Sequence, residues 1–170
     1  QDASAPGIGW DPDLLGKEIP WPRLLTDAEK RTVSIIADLI IPADDHGPAA
    51  SAVGVPDFVD EWVSAPYEAS RNDLARLRTG LPALDEAAAG LSGRGFADSP
   101  AEVRQRLMET MAAPGGNETL HRLFTDLRRL TVGGYYSTPT GWTAIGYNGN
   151  RALPAFPPPS AEVRRHLALD

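Results

Sequence analysis

Cysteine is absent from the 170 residues, which excludes thiol catalysis, disulfides, zinc–thiolate sites and iron–sulfur clusters together. Long apolar runs are missing too. No stretch reaches the ~18 uncharged apolar residues of a membrane-spanning helix, and the richest, Val33 to Ile41, is interrupted by Asp38. Positive charge is scarce at the front: residues 1–65 hold 12 acids and 4 bases, residues 66–170 hold 11 and 12, and the net charge is −7. An acidic front third repels phosphate backbones, so nucleic acid is excluded as the default partner. The patterns GxGxxG, GxxxxGK[ST], HExxH and GxSxG do not occur, so a self-sufficient enzyme finds no support. The chain starts at Gln1 without Met or signal peptide, a start that fits a mature end left by processing and fits a trimmed chain equally well.

What remains is an ordinary globular composition, 42% hydrophobic and 23% charged, with 16 Gly and 16 Pro. This length sets a prior of one domain and buries enough surface to need no staple. Residues 1–25 lack periodicity and read as an extended arm. Thr26-Asp27-Ala28-Glu29 is a capping box, after which Val33, Ile36, Ala37 and Ile40 recur at helical spacing until Pro42. A loop over 42–54 precedes a short helix over 56–64 that presents Phe58, Val59, Trp62 and Val63. A longer helix spans Pro66 to about Leu91, with a break or kink expected at Gly80-Leu81-Pro82. Ser99-Pro100-Ala101-Glu102 reads as a second capping box opening a helix to about Ala112. The cleanest core stripe, Leu120, Leu123, Phe124, Leu127 and Leu130, lies on a helix from about Glu118 to Tyr135, and a short helix from Ser160 to Leu169 closes the chain. No strand pattern occurs. The reading is one all-α domain over 26–136, an N-terminal arm over 1–25 and a C-terminal arm over 137–170.

Chemistry-bearing clusters are few. Asp44-Asp45-His46 alone has metal-ligand character, but adjacent side chains diverge, and Asp and Gly after Pro make a turn. Asp44 and Asp45 are therefore expected to be structural. His121 and His166 read as solvated helix residues. No catalytic, cofactor-binding or metal-binding residue is assigned. The aromatic residues are more informative. Trp10, Trp21, Tyr135, Tyr136, Trp142, Tyr147 and Phe156 sit in the two Pro- and Gly-rich arms or at their edge, and the arms cannot bury them by local periodicity. They either fold back over the helices or anchor a partner, as Trp and Tyr do at interfaces.

Three segments resemble the gluconate 2-dehydrogenase subunit 3 family. They are Leu39-Ile40-Ile41-Pro42-Ala43-Asp44-Asp45 with Ala52-Val53-Gly54-Val55-Pro56-Asp57-Phe58-Val59-Asp60, then Leu130-Thr131-Val132-Gly133-Gly134-Tyr135-Tyr136, then Gly141-Trp142-Thr143-Ala144-Ile145-Gly146-Tyr147-Asn148-Gly149-Asn150. The resemblance implies the non-catalytic small subunit of a bacterial flavin-dependent sugar or polyol dehydrogenase complex. Its partner would be a large subunit of the glucose–methanol–choline (GMC) type that holds the FAD, with a cytochrome c as electron acceptor through that subunit. It also implies a periplasmic address and twin-arginine export of the folded complex, with no cofactor in this chain. The other reading of the residues is a stand-alone helical binding or scaffold protein, with a metal enzyme at Asp44, Asp45 and His46 a distant third.

Overall fold

The structure is a computed structural model that describes residues 19, 21–149 and 158–168. Among them are seven α-helices, two short 3₁₀ turns and no strand: α1 (Asp27–Ile40), a turn at Ala50–Val53, α2 (Val55–Ser64), α3 (Glu68–Ser92), a turn at Phe96–Asp98, α4 (Ala101–Ala112), α5 (Glu118–Tyr136), α6 (Pro139–Ala144) and α7 (Ala161–His166). The protein is an all-α domain.

Helix α5 is its axis. Leu120, Leu123, Leu127 and Leu130 are buried along one stripe, and α1, α2, α3 and α4 all pack against this helix, α3 most extensively. Gly80 lets α3 come that close, since a methyl group there would sit 2.8 Å from Leu123 Cβ. The expected break at Gly80-Leu81-Pro82 does not form: α3 runs unbroken through Pro82. Leu77, Gly80, Leu81 and Leu84 are buried on its inner face, and packing outweighs the one hydrogen bond that proline removes. Ile36, Val59, Leu84, Phe96, Met111 and Leu123 complete the fully buried centre.

The helix ends follow the sequence in part. Thr26 and Glu29 form the capping box, with Glu29 N donating to Thr26 Oγ1 at 3.2 Å and Thr26 N donating to Glu29 Oε2 at 2.8 Å. The second box does not form. Pro100 is the N-cap of α4, and buried Ser99 turns its hydroxyl back to Gly95 O at 3.0 Å and to Ser92 Oγ at 2.8 Å, tying off the end of α3. The Asp44 turn forms as expected: Asp44 Oδ1 accepts from His46 N at 2.8 Å and from Gly47 N at 3.0 Å.

The arms are less arm-like than their composition. Residues 21–25 lie along α2, where Leu24 N donates to Ser64 Oγ at 2.8 Å and Leu25 N to Asp60 Oδ1 at 3.1 Å. The stretch after Tyr136 includes a helix that periodicity missed, because α6 is only six residues long. Thr138 caps it, accepting from Gly141 N at 3.0 Å, with Pro139 in the first turn.

Candidate partner interface

The half-buried ridge of α2 carries the first aromatic face. Val59 and Val63 enter the core, while Phe58 and Trp62, one helical ridge over, stay at the surface. Trp21 from the strap and Tyr67 after α2 close round them. Trp21 and Tyr67 meet edge-on with centroids 6.0 Å apart, and Phe58 and Trp62 lie 6.1 Å apart. Together with Ala65 and Ala69 they line a half-open apolar depression of about 470 Å³. Gly134 permits the seating of Phe58 on α5, because a methyl group there would be 2.6 Å from the phenyl ring.

A buried carboxylate fixes this face from behind. Asp73, its side chain 6% exposed, accepts from Trp62 Nε1 at 2.8 Å, from Arg129 at 2.8 Å and from Arg76. Arg76 also donates to Asp126 Oδ2 at 2.6 Å, a bond that holds its guanidinium pKa above the ordinary value. The Arg129 guanidinium stands 5.8 Å from the Trp62 ring centroid, within cation–π range. Trp21 Nε1 is satisfied as well, donating to Glu61 O at 3.2 Å. Both indole donors thus point into the protein. The face turned outward is apolar and π surface.

The second face lies at the C-terminal end of α5. Tyr136, Trp142, Ile145 and Tyr147 are exposed, and Trp142 and Tyr147 pack edge-on at 6.1 Å. Their positions are set by the Thr138 cap and by Tyr147 N, which donates to Trp142 O at 2.8 Å. The Trp142 indole N–H has no partner among the described residues, so this face keeps a hydrogen-bond donor available.

Of the seven residues that the sequence singles out for a partner, Tyr136, Trp142 and Tyr147 are exposed and close together, and Trp21 is half-buried at the rim of the first face. Tyr135 is a correction. It is 2% exposed, donates its hydroxyl to Pro48 O at 2.9 Å and holds the 42–54 loop on α5. Burial, followed by the charges of Tyr136 and Asp44, pushes its phenol pKa up. Trp10 and Phe156 lie outside the described residues. Periodicity puts Phe58 and Trp62 on the same short helix as Val59 and Val63 without separating core from surface, and it gives Tyr67 no role. The available signal was the width of the apolar arc on α2, which is broader than one buried stripe.

Other candidates resolve into local structure. His46 is exposed on the Asp44 turn. His121 is half-buried and not solvated as expected; its Nδ1 lies 2.8 Å from Met111 O and serves a carbonyl at the end of α4. No group of three or more His, Asp or Glu residues suited to a metal ion occurs among the described residues. No helix among them is long and apolar enough to cross a membrane.

The described residues thus form a helical body with two exposed aromatic faces. Residues 27–149 match the family model for gluconate 2-dehydrogenase subunit 3, and the chain belongs to that family, named for one component of a dehydrogenase complex. Comparison with curated proteins and with solved structures returned no match.

Proposed function

We propose that this chain is the non-catalytic small subunit of a flavin-dependent sugar or polyol dehydrogenase complex. It docks on a large FAD-containing subunit of the GMC type, stabilises it and accompanies its twin-arginine export to the periplasm. Electrons pass from that subunit to an acceptor such as a cytochrome c, and no cofactor is held here. Family membership supports the complex. The observation that carries the docking role is the aromatic depression at Trp21, Phe58, Trp62 and Tyr67: its indole donors are bonded inward, so its outward surface is stabilised by apolar burial and not by water. These rings are already more than half buried in the monomer, so they supply only part of the ~800 Å² per side of an ordinary interface, and the helical body must add the rest.

Co-expression with a large FAD-containing subunit of the GMC type tests the reading. A yellow, sugar-oxidising complex retained on a tag carried by this chain, and reaching the periplasm only when both chains are present, is the expected outcome. A colourless monomer that ignores the flavoprotein refutes it.

A further inference from the structure

Two polar groups interrupt the wall of the first aromatic face. Ser70, in the first turn of α3, lines the depression although the residue is only 4% exposed. Its hydroxyl has no hydrogen-bond partner among the described residues. Glu61 is the one charged residue among the described residues of the lining. Its contact with Arg23 is long, 3.4 Å between side chains 41% and 35% exposed, and such surface pairs are weak in water. The nearby cations are turned elsewhere: Lys30 to Asp57, Arg71 to Pro66 O, Arg76 and Arg129 to Asp73. The remaining wall is Trp21, Phe58, Trp62 and Tyr67, whose π faces carry negative potential. The indole N–H groups that could offset it are bonded to Asp73 and to Glu61 O. Trp62 already stands 5.8 Å from one guanidinium, that of Arg129, which Asp73 neutralises.

We infer that this depression takes the guanidinium of an arginine side chain on the large subunit. The inference rests on the proposed complex and names what its first face meets. Other occupants fail on the same groups. An apolar side chain would seal the Ser70 hydroxyl and the Glu61 carboxylate from water with nothing to bond. A carboxylate would face Glu61 and the negative ring faces. A quaternary ammonium suits the rings but has no N–H for Ser70. Lysine has charge and donors but no plane. A guanidinium supplies all three: a plane that stacks on the rings, a charge for Glu61, and N–H donors to spare for Ser70 Oγ.

Titrating the full-length chain with N-acetylarginine methylamide, followed by NMR of the Trp62 indole and Ser70 amide signals, tests the site without the partner. Saturable shifts at millimolar concentration are expected, about threefold weaker in Ser70→Ala and in Glu61→Gln, and absent with N-acetylleucine methylamide. Both variants should keep the wild-type melting temperature, since Ser70 loses no bond and Trp21 bonds the Glu61 carbonyl, which Glu61→Gln retains. In tag capture of the flavoprotein each should weaken binding about tenfold, and Glu61→Gln should also flatten its salt dependence. The sign for Ser70→Ala is decisive, because an apolar occupant would bind this variant as well as the wild type or better. That result, or no preference for the arginine compound over the leucine one, overturns the inference and leaves the complex standing. Tetramethylammonium shifts that match those of the arginine compound and ignore Ser70→Ala would overturn it in favour of a quaternary ammonium. Failure of the wild-type chain to capture the flavoprotein overturns both readings.

Discussion

Trp62 and Trp142 are almost equally exposed, at 39% and 41%, yet they are held in unlike ways. The Trp62 ring is fixed by an indole bond to buried Asp73 and by the Arg129 guanidinium beside it. Trp142 rests on a six-residue helix with one hydroxyl cap, and its indole donor is unused among the described residues. The first face is preorganised and loses little freedom on docking; the second can turn its donor and its tyrosines to what it meets. In the proposed complex, folding and docking are therefore entangled at the first face and separable at the second.

The largest expected effect comes from breaking the carboxylate behind Trp62. Asp73→Ala leaves the indole N–H unpaired and removes the anion between Arg76 and Arg129. Both arginines are nearly half exposed and can turn to water, so the cost is about 2–3 kcal/mol, less than for a fully buried pair. Urea unfolding should show the midpoint falling with an unchanged slope. An Asp73→Ala variant as stable as the wild type would mean that Trp62 is held by its ring contacts alone.

Substituting each tryptophan sharpens the contrast. Trp142→Ala should weaken capture of the large subunit by about 2 kcal/mol with little change in melting, the behaviour of an anchor uncoupled from the fold. Trp62→Ala should lower both affinity and stability, because Asp73 loses a donor. Titration of the two variants, each paired with a melting curve, distinguishes the cases. If Trp142→Ala melts early and binds normally, the second face is a packing device.

These differences mark how far the sequence could be read. The α5 stripe, the Thr26 box and the Asp44 turn were legible because each depends on residues within a few positions. Ser99 and Pro82 misled, because their surroundings decide: the Ser99 hydroxyl finds closer acceptors in Gly95 and Ser92, and α3 stays helical because α5 presses on it. The first face was hidden for a related reason. Trp62 shares a short helix with Val59 and Val63, and nothing local separates it from them until Asp73, Arg129 and Trp21, distant in sequence, assemble round it. Tyr135 was hidden in the opposite sense, since nothing local shows that its hydroxyl reaches Pro48.

Acid should separate the faces by a smaller amount. Burial by itself raises the Glu29 carboxyl pKa, but bonds from the Thr26 backbone and hydroxyl and from Arg78 outweigh it, leaving the value below the ordinary 4.5. A carboxyl depressed in the folded state stabilises fully above 4.5 and loses that contribution as the pH falls through its folded value. Arg78 also donates to Leu24 O at 2.7 Å, so protonating Glu29 loosens the strap that carries Trp21 and leaves α6 untouched. The expected loss is about 1 kcal/mol, the worth of a capping pair. It should be visible as faster exchange of the Leu24 and Leu25 amides below pH 4.5. In Glu29→Gln the acid-induced step should vanish; an undiminished step would assign it to other carboxylates.

The smallest effect has the opposite sign and asks whether the faces communicate. Thr131 lies on α5 between Arg129 of the first face and Tyr135, on which α6 rests. It is 1% exposed, and its hydroxyl has no hydrogen-bond partner among the described residues. Burying an unpaired hydroxyl costs free energy that an apolar group of the same shape does not. Thr131→Val keeps the branched shape and should therefore stabilise the fold by about 0.5–1 kcal/mol, raising the melting temperature by a few degrees. Because Thr131 belongs to neither surface, affinity for the large subunit should not change if the faces act independently. An affinity that shifts with this substitution would show that α5 transmits its packing from one face to the other. A fall in stability would mean that the hydroxyl is satisfied after all, with water as the remaining donor or acceptor in the core beside Tyr135.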